Sequence, residues 1–289
     1  MPEPRGTHPV VRLALAVALV ALAGCATVAP VDRGRFEANG RLVVANLDCG
    51  RRDALVAKPG AFAPGQPLRL TVWNIHKNGE PGWDADLTRF AAASDLVLLQ
   101  EASLDPALRA ILRHAGRFFV HADTWELGGV ARGVLTASAA APLEACVLRA
   151  MEPLLALPKS ALVAWFRIEG RYETLAVANL HAINFAPLIG TWRDQIDALG
   201  AILANHRGPL VVAGDFNTWN AERVDALEAF ARRLGLAEAS LSFGEPARFL
   251  GRPVDTLFTR GIDVEDAWIE DVASSDHKPI VATIRISRP

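Results

Sequence analysis

The chain lacks a surplus of basic residues, a cysteine-rich metal pattern and any internal repeat. Among 289 residues there are 30 Lys and Arg against 32 Asp and Glu, for a net charge of −2. The arginines are dispersed, which disfavours a tight, non-specific duplex binder without excluding a nucleic-acid substrate. The 3 cysteines do not have the spacing of a zinc site. No period typical of solenoids or propellers is present, so these architectures are excluded.

A long membrane-spanning run is also missing. The apolar run over residues 13–21 follows Arg5 and Arg12 and is too short to predict a bilayer span. It ends in Leu22-Ala23-Gly24-Cys25, which resembles a bacterial lipobox. This predicts a signal peptide over residues 1–24 and a lipidated Cys25 as the mature N-terminus, held in the membrane by its acyl chains. The alternative is an ordinary secretory signal with a chance cysteine.

If the lipobox is genuine, the protein is a lipoprotein of the cell envelope that faces the periplasm. Under the sorting rule for bacterial lipoproteins, Ala26 after the cysteine favours the outer membrane over the inner one. In an oxidising periplasm the remaining pair, Cys49 and Cys146, would either form a disulfide or remain as two buried thiols. Both possibilities stay open at this point.

With 51% apolar residues, the chain can bury a large core, and one domain accommodates its length. We interpret residues 25–66 as the lipidated cysteine, a tether over 26–35 and a lead-in with a strand over 41–45. The main domain is expected over residues 67–289. A monomer is expected.

Strand and helix signals alternate from residue 68 onward. Strands are predicted at 41–45, 68–73, 96–99, 118–122, 133–137, 143–148, 162–168, 174–180, 256–258, 264–269 and 280–286. Helices are predicted at 84–93, 192–206 and 221–234, from apolar residues at helical spacing. The spacing between 118 and 180 is too short for intervening helices, so antiparallel pairing is expected there. The prediction is an α/β fold with two packed sheets covered by helices.

The segment from Val211 to Asn217 carries the clearest functional signal. An apolar strand leads directly into Asp215-Phe216-Asn217, and alternation places Asp215 and Asn217 on one side of it. A carboxylate there can bind a metal or accept a proton, and the amide can donate to an anionic oxygen. The pattern indicates metal-assisted hydrolysis of a phosphoester.

Four further strand ends carry polar residues, namely Asn74, Gln100-Glu101, Asn179-Leu180-His181 and Asp276-His277. Singly, each has a structural explanation: Asn74 as a turn cap, Glu101 as the start of a helix, His181 as a satisfied core histidine. Together, in this order, they are hard to produce by turn chemistry alone.

At these residues the chain resembles the endonuclease/exonuclease/phosphatase superfamily, over residues 68–286. Trp73-Asn74-Ile75-His76-Lys77, Pro158-Lys159-Ser160-Ala161-Leu162, the segment around His181, and Gly251-Arg252-Pro253-Val254-Asp255 look like its bacterial YafD-like branch. The resemblance implies a DNase I-like four-layer α/β/β/α sandwich.

The resemblance also implies a divalent ion, Mg²⁺ or Mn²⁺, and a set of metal-site residues. Glu101 matches the carboxylate that binds the ion, and Asn74 matches the amide beside it. Asp276 matches a further carboxylate of the metal site. Mg²⁺ prefers hard oxygen ligands and keeps several waters, so this set is chemically sensible.

The catalytic roles follow from the same resemblance. Asp215 matches the residue that orients or deprotonates the attacking water, and Asn217 the one that stabilises the charged phosphorane-like state. His277 matches a histidine that contacts phosphate or moves a proton, oriented by Asp255. His181 occupies the place of a phosphate-facing residue near the leaving group.

We therefore expect a metal-dependent phosphodiesterase or phosphomonoesterase. Its substrate is a phosphoester, either a nucleic acid or a smaller molecule such as a nucleotide, a sugar phosphate or a lipid headgroup. The acidic balance and the membrane anchor slightly favour the small or lipid substrates. The alternative is a non-catalytic lipoprotein that keeps the sandwich for binding. Zinc-dependent hydrolysis fits poorly, because the set is rich in oxygen ligands.

Overall fold

A computed structural model describes residues 29–186 and 188–288, with side-chain burial from Arg33 onward. The predicted signal peptide, Cys25 and residues 26–28 lie outside the described residues. The strands are β1 Ala29–Ala38, β2 Arg41–Ala45, β3 Ala61–Phe62, β4 Pro67–Asn74, β5 Leu96–Ser103, β6 Phe118–Leu127, β7 Val130–Ser138, β8 Glu144–Met151, β9 Pro158–Ile168, β10 Thr174–His181, β11 Leu210–Asp215, β12 Ala237–Glu238, β13 Arg248–Phe249, β14 Arg252–Pro253, β15 Asp255–Arg260, β16 Ile262–Ile269 and β17 Ile280–Ile286. The helices are α1 Trp83–Ala93, α2 Pro106–His114, α3 Ile189–Leu203 and α4 Ala221–Leu234, with a 3₁₀ turn at His76–Asn78.

Two large sheets organise the described residues. The first has 8 strands in the order β16-β17-β4-β5-β7-β6-β1-β2, and the second has 7, in the order β12-β15-β11-β10-β9-β3 with β8 also paired to β9. The predicted antiparallel pairing between residues 118 and 180 is confirmed for β6 with β7, β8 with β9, and β9 with β10. β4 and β5 run parallel, as do β10 and β11, so their carboxyl ends meet at the same edge.

Three apolar layers hold the sandwich together and confirm the four-layer α/β/β/α prediction. The central layer packs the inner faces of the two sheets against each other, with Leu98 and Val177 fully buried. A second layer packs α3 and α4 against the second sheet through Trp192 and Phe230. A third packs α1 and α2 against the first sheet through Leu87 and Leu108.

Helix α2 is absent from the sequence-based prediction. The Asp105 side chain accepts a hydrogen bond from the Leu108 amide at 2.8 Å, and Pro106 occupies the first turn. An Asp followed by Pro is a helix-initiation signal, and it is the feature of the sequence from which α2 could have been predicted.

The tether expected over residues 26–35 is wrong from Ala29 onward, because Ala29–Ala38 is a strand of the first sheet. Polar and charged residues give this segment the composition of a linker. In the fold, however, Arg35 Nε donates to Asp123 Oδ2 at 2.7 Å. Glu37 is buried and is paired by two arginines of α2. The charges are satisfied inside the sandwich, so the segment belongs to it.

A disulfide joins Cys49 to Cys146, across 97 residues of chain. It ties the segment after β2 to strand β8. Cys146 is fully buried in the apolar layer under α3. Of the two alternatives, the structure shows the disulfide.

Cys146→Ser is expected to lower the free energy of unfolding by about 2–5 kcal/mol, because the bond restricts a long loop in the unfolded chain. Urea unfolding of the full chain under oxidising conditions measures the change. Wild type with reductant should unfold like the variant. Equal midpoints for oxidised wild type and variant would show that the bond adds no stability.

Within the part of the chain described here, no helix is both long and apolar enough to cross a membrane.

Candidate active site

Asp215 lies at the carboxyl end of β11 and is 2% exposed. The preceding Gly214 has φ 135°, and a Cβ there would lie 2.1 Å from the Leu180 carbonyl oxygen. Only glycine permits this approach of β11 to β10, and the approach carries Asp215 to the edge beside His181. The Asp215 carboxylate accepts from Asn74 Nδ2 at 3.1 Å and from the Asn217 amide at 3.0 Å.

Asp255 and His277 lie directly beside Asp215. Asp255 begins β15 and faces Asp215 in register. His277 Nδ1 lies 2.7 Å from Asp255 Oδ2, and its Nε2 lies 3.9 Å from Asp215 Oδ2. One possible ligand atom of each residue falls within 4.8 Å of the others, an arrangement able to hold a metal ion. The predicted orientation of His277 by Asp255 is therefore present in the structure.

A second charged group faces this one across the site. Glu101, two residues before the end of β5, pairs with Lys77, and its Oε1 lies 3.7 Å from Lys159 Nζ. His181 Nε2 lies 2.8 Å from Lys159 Nζ, 3.6 Å from Glu101 Oε1 and 3.5 Å from Asp215 Oδ2. His181 thus connects the carboxylates at the ends of the two sheets.

Burial and charge shift the pKa values of these groups. Burial raises the pKa of Glu101, but the positive charges of His181 first, and then of Lys159 and Lys77, outweigh burial and lower that pKa to about 2. Burial and then Lys159 lower the pKa of His181 to about 4. Burial lowers the pKa of His277, yet the Asp255 carboxylate outweighs it and raises that pKa to about 10. The site therefore keeps Glu101 ionised at neutral pH.

Asn74 is buried at the end of β4, between the two groups. Besides donating to Asp215, it accepts from the His76 amide at 3.1 Å. Asp276, the third predicted metal residue, lies at the rim with its side chain 62% exposed, 3.8 Å from His76 Nδ1. Glu101 and Asp276 are therefore not part of the buried Asp-Asp-His group, and Asn74 contacts that group through Asp215.

Asn217 is buried, and its Nδ2 donates to the Ala182 carbonyl at 3.0 Å. The loops around Asn217 and His181 are held by Arg223, which is 1% exposed in the first turn of α4. Its guanidinium donates to the carbonyls of Asn217 at 2.9 Å, Ile183 at 3.0 Å and Asn184 at 2.9 Å. Arg223 is a positioning residue that the sequence-based reasoning missed.

Arg223→Lys is expected to lower the free energy of unfolding by about 2 kcal/mol or more, because the single ammonium group of lysine cannot make the hydrogen bonds that the planar guanidinium makes. Chemical denaturation measures this loss. The matched control is Arg232→Lys on the same helix, whose side chain is 70% exposed and which should unfold like wild type. Equal loss in both variants would refute the role assigned to Arg223.

Left-handed backbone concentrates at the strand ends of the site. Glu101 has φ 53° and Asn217 φ 51°, and the consecutive residues His76, Lys77 and Asn78 have φ 48°, 62° and 57°. Glu101 also lies in the irregular step between Leu99 and Ala102 where β5 pairs with β7. Such conformations are uncommon for residues other than glycine and often occur at functional sites.

A buried polar contact fixes the two sheets relative to each other below the site. Gln100 Nε2 donates to Asn179 Oδ1 at 2.6 Å, linking β5 to β10. Asn179 Nδ2 donates in turn to the Leu135 carbonyl of β7 at 2.9 Å. The ends that carry Glu101 and His181 are therefore held in one relative position.

A cavity of about 180 Å³ opens beside Glu101 and His181. Its lining includes the basic residues Lys77, Lys159 and Arg132 and the apolar residues Trp125, Leu155 and Phe185. The sequence-based reasoning assigned no role to Lys159, although it lies in one of the motifs that carried the resemblance.

The residues present fit a divalent cation. Asp255 Oδ1 is buried and has no hydrogen-bond partner among the described residues. A buried carboxylate oxygen without a partner is costly unless water or a cation meets it. The neighbouring carboxylates of Asp215 and Asp255 supply hard oxygen atoms of the kind that a divalent cation prefers.

A sandwich with acidic, amide and imidazole side chains at the ends of both sheets defines the class of DNase I-like phosphoesterase folds. The model of the endonuclease/exonuclease/phosphatase family matches residues 71–277. The chain belongs to this family.

The chain is also similar to individual relatives in sequence and to solved structures in fold. A UPF0294 protein of Yersinia pseudotuberculosis is 41% identical over 218 residues, covering 74% of this chain and 82% of the relative. A UPF0294 protein of Klebsiella pneumoniae is 37% identical over 250 residues, covering 81% and 93%. The fold is similar to an endonuclease/exonuclease/phosphatase from Bacteroides vulgatus, with TM-score 0.60, 18% identity and coverage of 77% and 100%. It is also similar to the human Nocturnin catalytic domain, with TM-score 0.57, 16% identity and coverage of 84% and 100%.

Proposed function

We propose that the protein is a metal-dependent phosphoester hydrolase in which a water molecule attacks phosphorus in line with the leaving group. The observation that carries this proposal is the buried group of Asp215, Asp255 and His277 within 4.8 Å, next to Glu101 and His181. Family membership supports phosphoester chemistry.

Glu101 and Asn74, with Asp276 at the rim, would hold Mg²⁺ or Mn²⁺, and the Asp255 oxygen offers a further acceptor. The bound ion would neutralise phosphate charge and lower the pKa of water. Asp215 orients the attacking water and accepts its proton. Asp255 holds the His277 ring so that Nε2 is free to donate to a phosphate oxygen. Asn217 stabilises the phosphorane-like state, and His181 lies on the leaving-group side, where Lys159 adds positive charge.

The test is hydrolysis by the full chain in detergent, after chelation and after addition of Mg²⁺, Mn²⁺ or Zn²⁺. The panel holds an aryl phosphodiester, an aryl phosphomonoester, single- and double-stranded DNA, and phospholipids. We expect turnover with Mg²⁺ or Mn²⁺ that chelation abolishes. Turnover that survives exhaustive chelation would refute metal dependence.

The alternative is a non-catalytic lipoprotein that uses the sandwich for binding. If no substrate of the panel is hydrolysed although calorimetry shows that the metal binds, this alternative is favoured. The sequence keeps every carboxylate of the motifs and both histidines, which argues against this alternative, because a binding module need not retain them.

We further propose that Cys25 is lipidated and anchors the protein to the envelope, facing the periplasm and more specifically at the outer membrane. Supporting this are the Leu22-Ala23-Gly24-Cys25 sequence and the disulfide, because disulfides persist in oxidising compartments.

Cys25→Ser in the full chain is expected to move the protein from the membrane fraction to the soluble envelope fraction, because the acyl chains have no other attachment point. Fractionation with detection of the protein measures this, and Cys49→Ser serves as the control that keeps Cys25. A Cys25→Ser chain that remains as firmly membrane-bound as wild type would refute lipidation as the anchor.

A further inference from the structure

Exposed leucines lie in three loops beside the site. Leu154, in the loop between β8 and β9, is 65% exposed, and Leu155 next to it is 53% exposed. Leu188, after β10, is 80% exposed. Leu250, in the β13–β14 hairpin, is 72% exposed. Large aliphatic side chains in neighbouring loops of one face indicate an interaction surface.

The strand order places these loops at one end of the sandwich. The first loop leads into β9, which carries Lys159 at its start, and the second follows His181 at the end of β10. The hairpin precedes Asp255 at the start of β15. Each loop is therefore within about seven residues of a side chain that lines the site. We call Leu154, Leu188 and Leu250 the apolar rim.

The cavity beside the site is lined by two kinds of side chain. Lys77 and Lys159 line it together with Glu101, and Leu155, the neighbour of Leu154, and Phe185 line it as well. Phe185 is itself 46% exposed. The lysines suit an anionic phosphate, and Leu155 and Phe185 suit an aliphatic chain. This complementarity selects an amphiphilic ligand over a fully polar one.

Basic residues accompany the apolar rim in the β13–β14 hairpin. Arg248 and Arg252 flank Phe249 and Leu250, and all four are exposed. Apolar side chains alternating with arginine suit the interface of an anionic bilayer, where the former enter the headgroup region and the latter meet lipid phosphates.

The chain enters the fold at this same end. Strand β1 begins at Ala29, beside Glu126, and Pro30 faces Trp125, which lines the cavity. Cys25 precedes Ala29 by four residues, which span at most about 14 Å of extended chain. With the anchor proposed at Cys25, so short a connection keeps the site end of the sandwich close to the bilayer.

We propose that the site end of the sandwich docks on the membrane through the apolar rim, and that the substrate is a phosphoester of a membrane amphiphile. The proposal rests on the proposed phosphoesterase function and names its substrate class. The phosphate enters beside Lys159 and Glu101, and the aliphatic part remains in contact with Leu155 and Phe185.

Substrate preference tests the proposal with the full chain reconstituted in vesicles of phosphatidylethanolamine and phosphatidylglycerol, with Mg²⁺ or Mn²⁺. Phosphatidic acid and phosphatidylglycerol with long acyl chains are compared with short-chain, monomeric versions that carry the same headgroups. Release of phosphate or of headgroup phosphate is measured. We expect the long-chain form to be hydrolysed at least about tenfold faster, because its chains contact Leu155 and Phe185 while the apolar rim holds the protein on the vesicle.

The combined variant Leu154→Ser, Leu188→Ser and Leu250→Ser should lose most of this preference. The matched control is Tyr172→Ser, an exposed side chain in the turn between β9 and β10, at the opposite end of the sheet. The control should keep the preference. Flotation of the Cys25→Ser chain with the same vesicles, with and without the rim substitutions, reports docking without the anchor.

The outcomes separate the two proposals. Equal turnover of long-chain and short-chain forms, or a rim variant that keeps the preference and still floats, overturns the membrane substrate while the phosphoesterase stands. Hydrolysis of aryl phosphoesters or DNA without hydrolysis of the lipids also overturns the membrane substrate and leaves the phosphoesterase standing. No turnover of any phosphoester with any metal overturns the proposed function, and the substrate inference fails with it.

Discussion

Asp215→Asn is expected to lower kcat for phosphoester hydrolysis by about 10²–10⁴-fold, the usual contribution of a positioned base. The carboxylate is buried, held by Asn74 and the Asn217 amide, and lies 3.5 Å from His181 Nε2. The amide keeps the shape but cannot accept a proton from water. Steady-state kinetics under saturating metal measure the change.

The matched control is Asp194→Asn, an exposed aspartate on α3 with no role in the site. It should keep wild-type kcat. Thermal unfolding of both variants verifies that each is folded. An Asp215→Asn protein with more than a tenth of wild-type kcat would contradict the role of Asp215.

Glu101→Gln is expected to abolish measurable hydrolysis and to weaken metal binding by at least about tenfold, because it removes a hard anionic ligand. The ionised Glu101 is the negative charge between Lys77 and Lys159. Removing this charge leaves two cations facing each other, which further disfavours a divalent ion. Calorimetric titration with Mn²⁺ measures binding independently of turnover.

Glu222→Gln, an exposed position at the start of α4, is the control and should bind metal like wild type. Folding of the Glu101 variant is compared by circular dichroism. A folded, fully active Glu101→Gln enzyme would refute the metal-site assignment.

The sequence predicts most of the fold because continuous apolar runs mark the inner strands. In β5, β9, β10 and β11 the apolar runs are buried on both faces, so strand positions are visible without knowledge of partners. Strand β1 is different, since its identity depends on Asp123 and two arginines distant in sequence. Ion pairs between residues far apart in the sequence leave no mark on the local pattern of apolar residues, so this strand could not be predicted from it.

The candidate site is predicted in part for a related reason. Polar residues at the ends of apolar strands mark Asn74, Glu101, His181 and Asp215, because a core does not favour them. The role of Lys159 is not visible in this way, since it begins a strand instead of ending one. Its 2.8 Å contact with His181 depends on the pairing of β9 with β10.

The contact of Gln100 with Asn179 has a consequence for how the molecule loses activity. Glu101 follows one partner and His181 lies two residues beyond the other, so each half of the site is supplied by a different sheet. Neither sheet carries a usable fragment of the site. Denaturation and loss of catalysis should therefore coincide in a single cooperative transition.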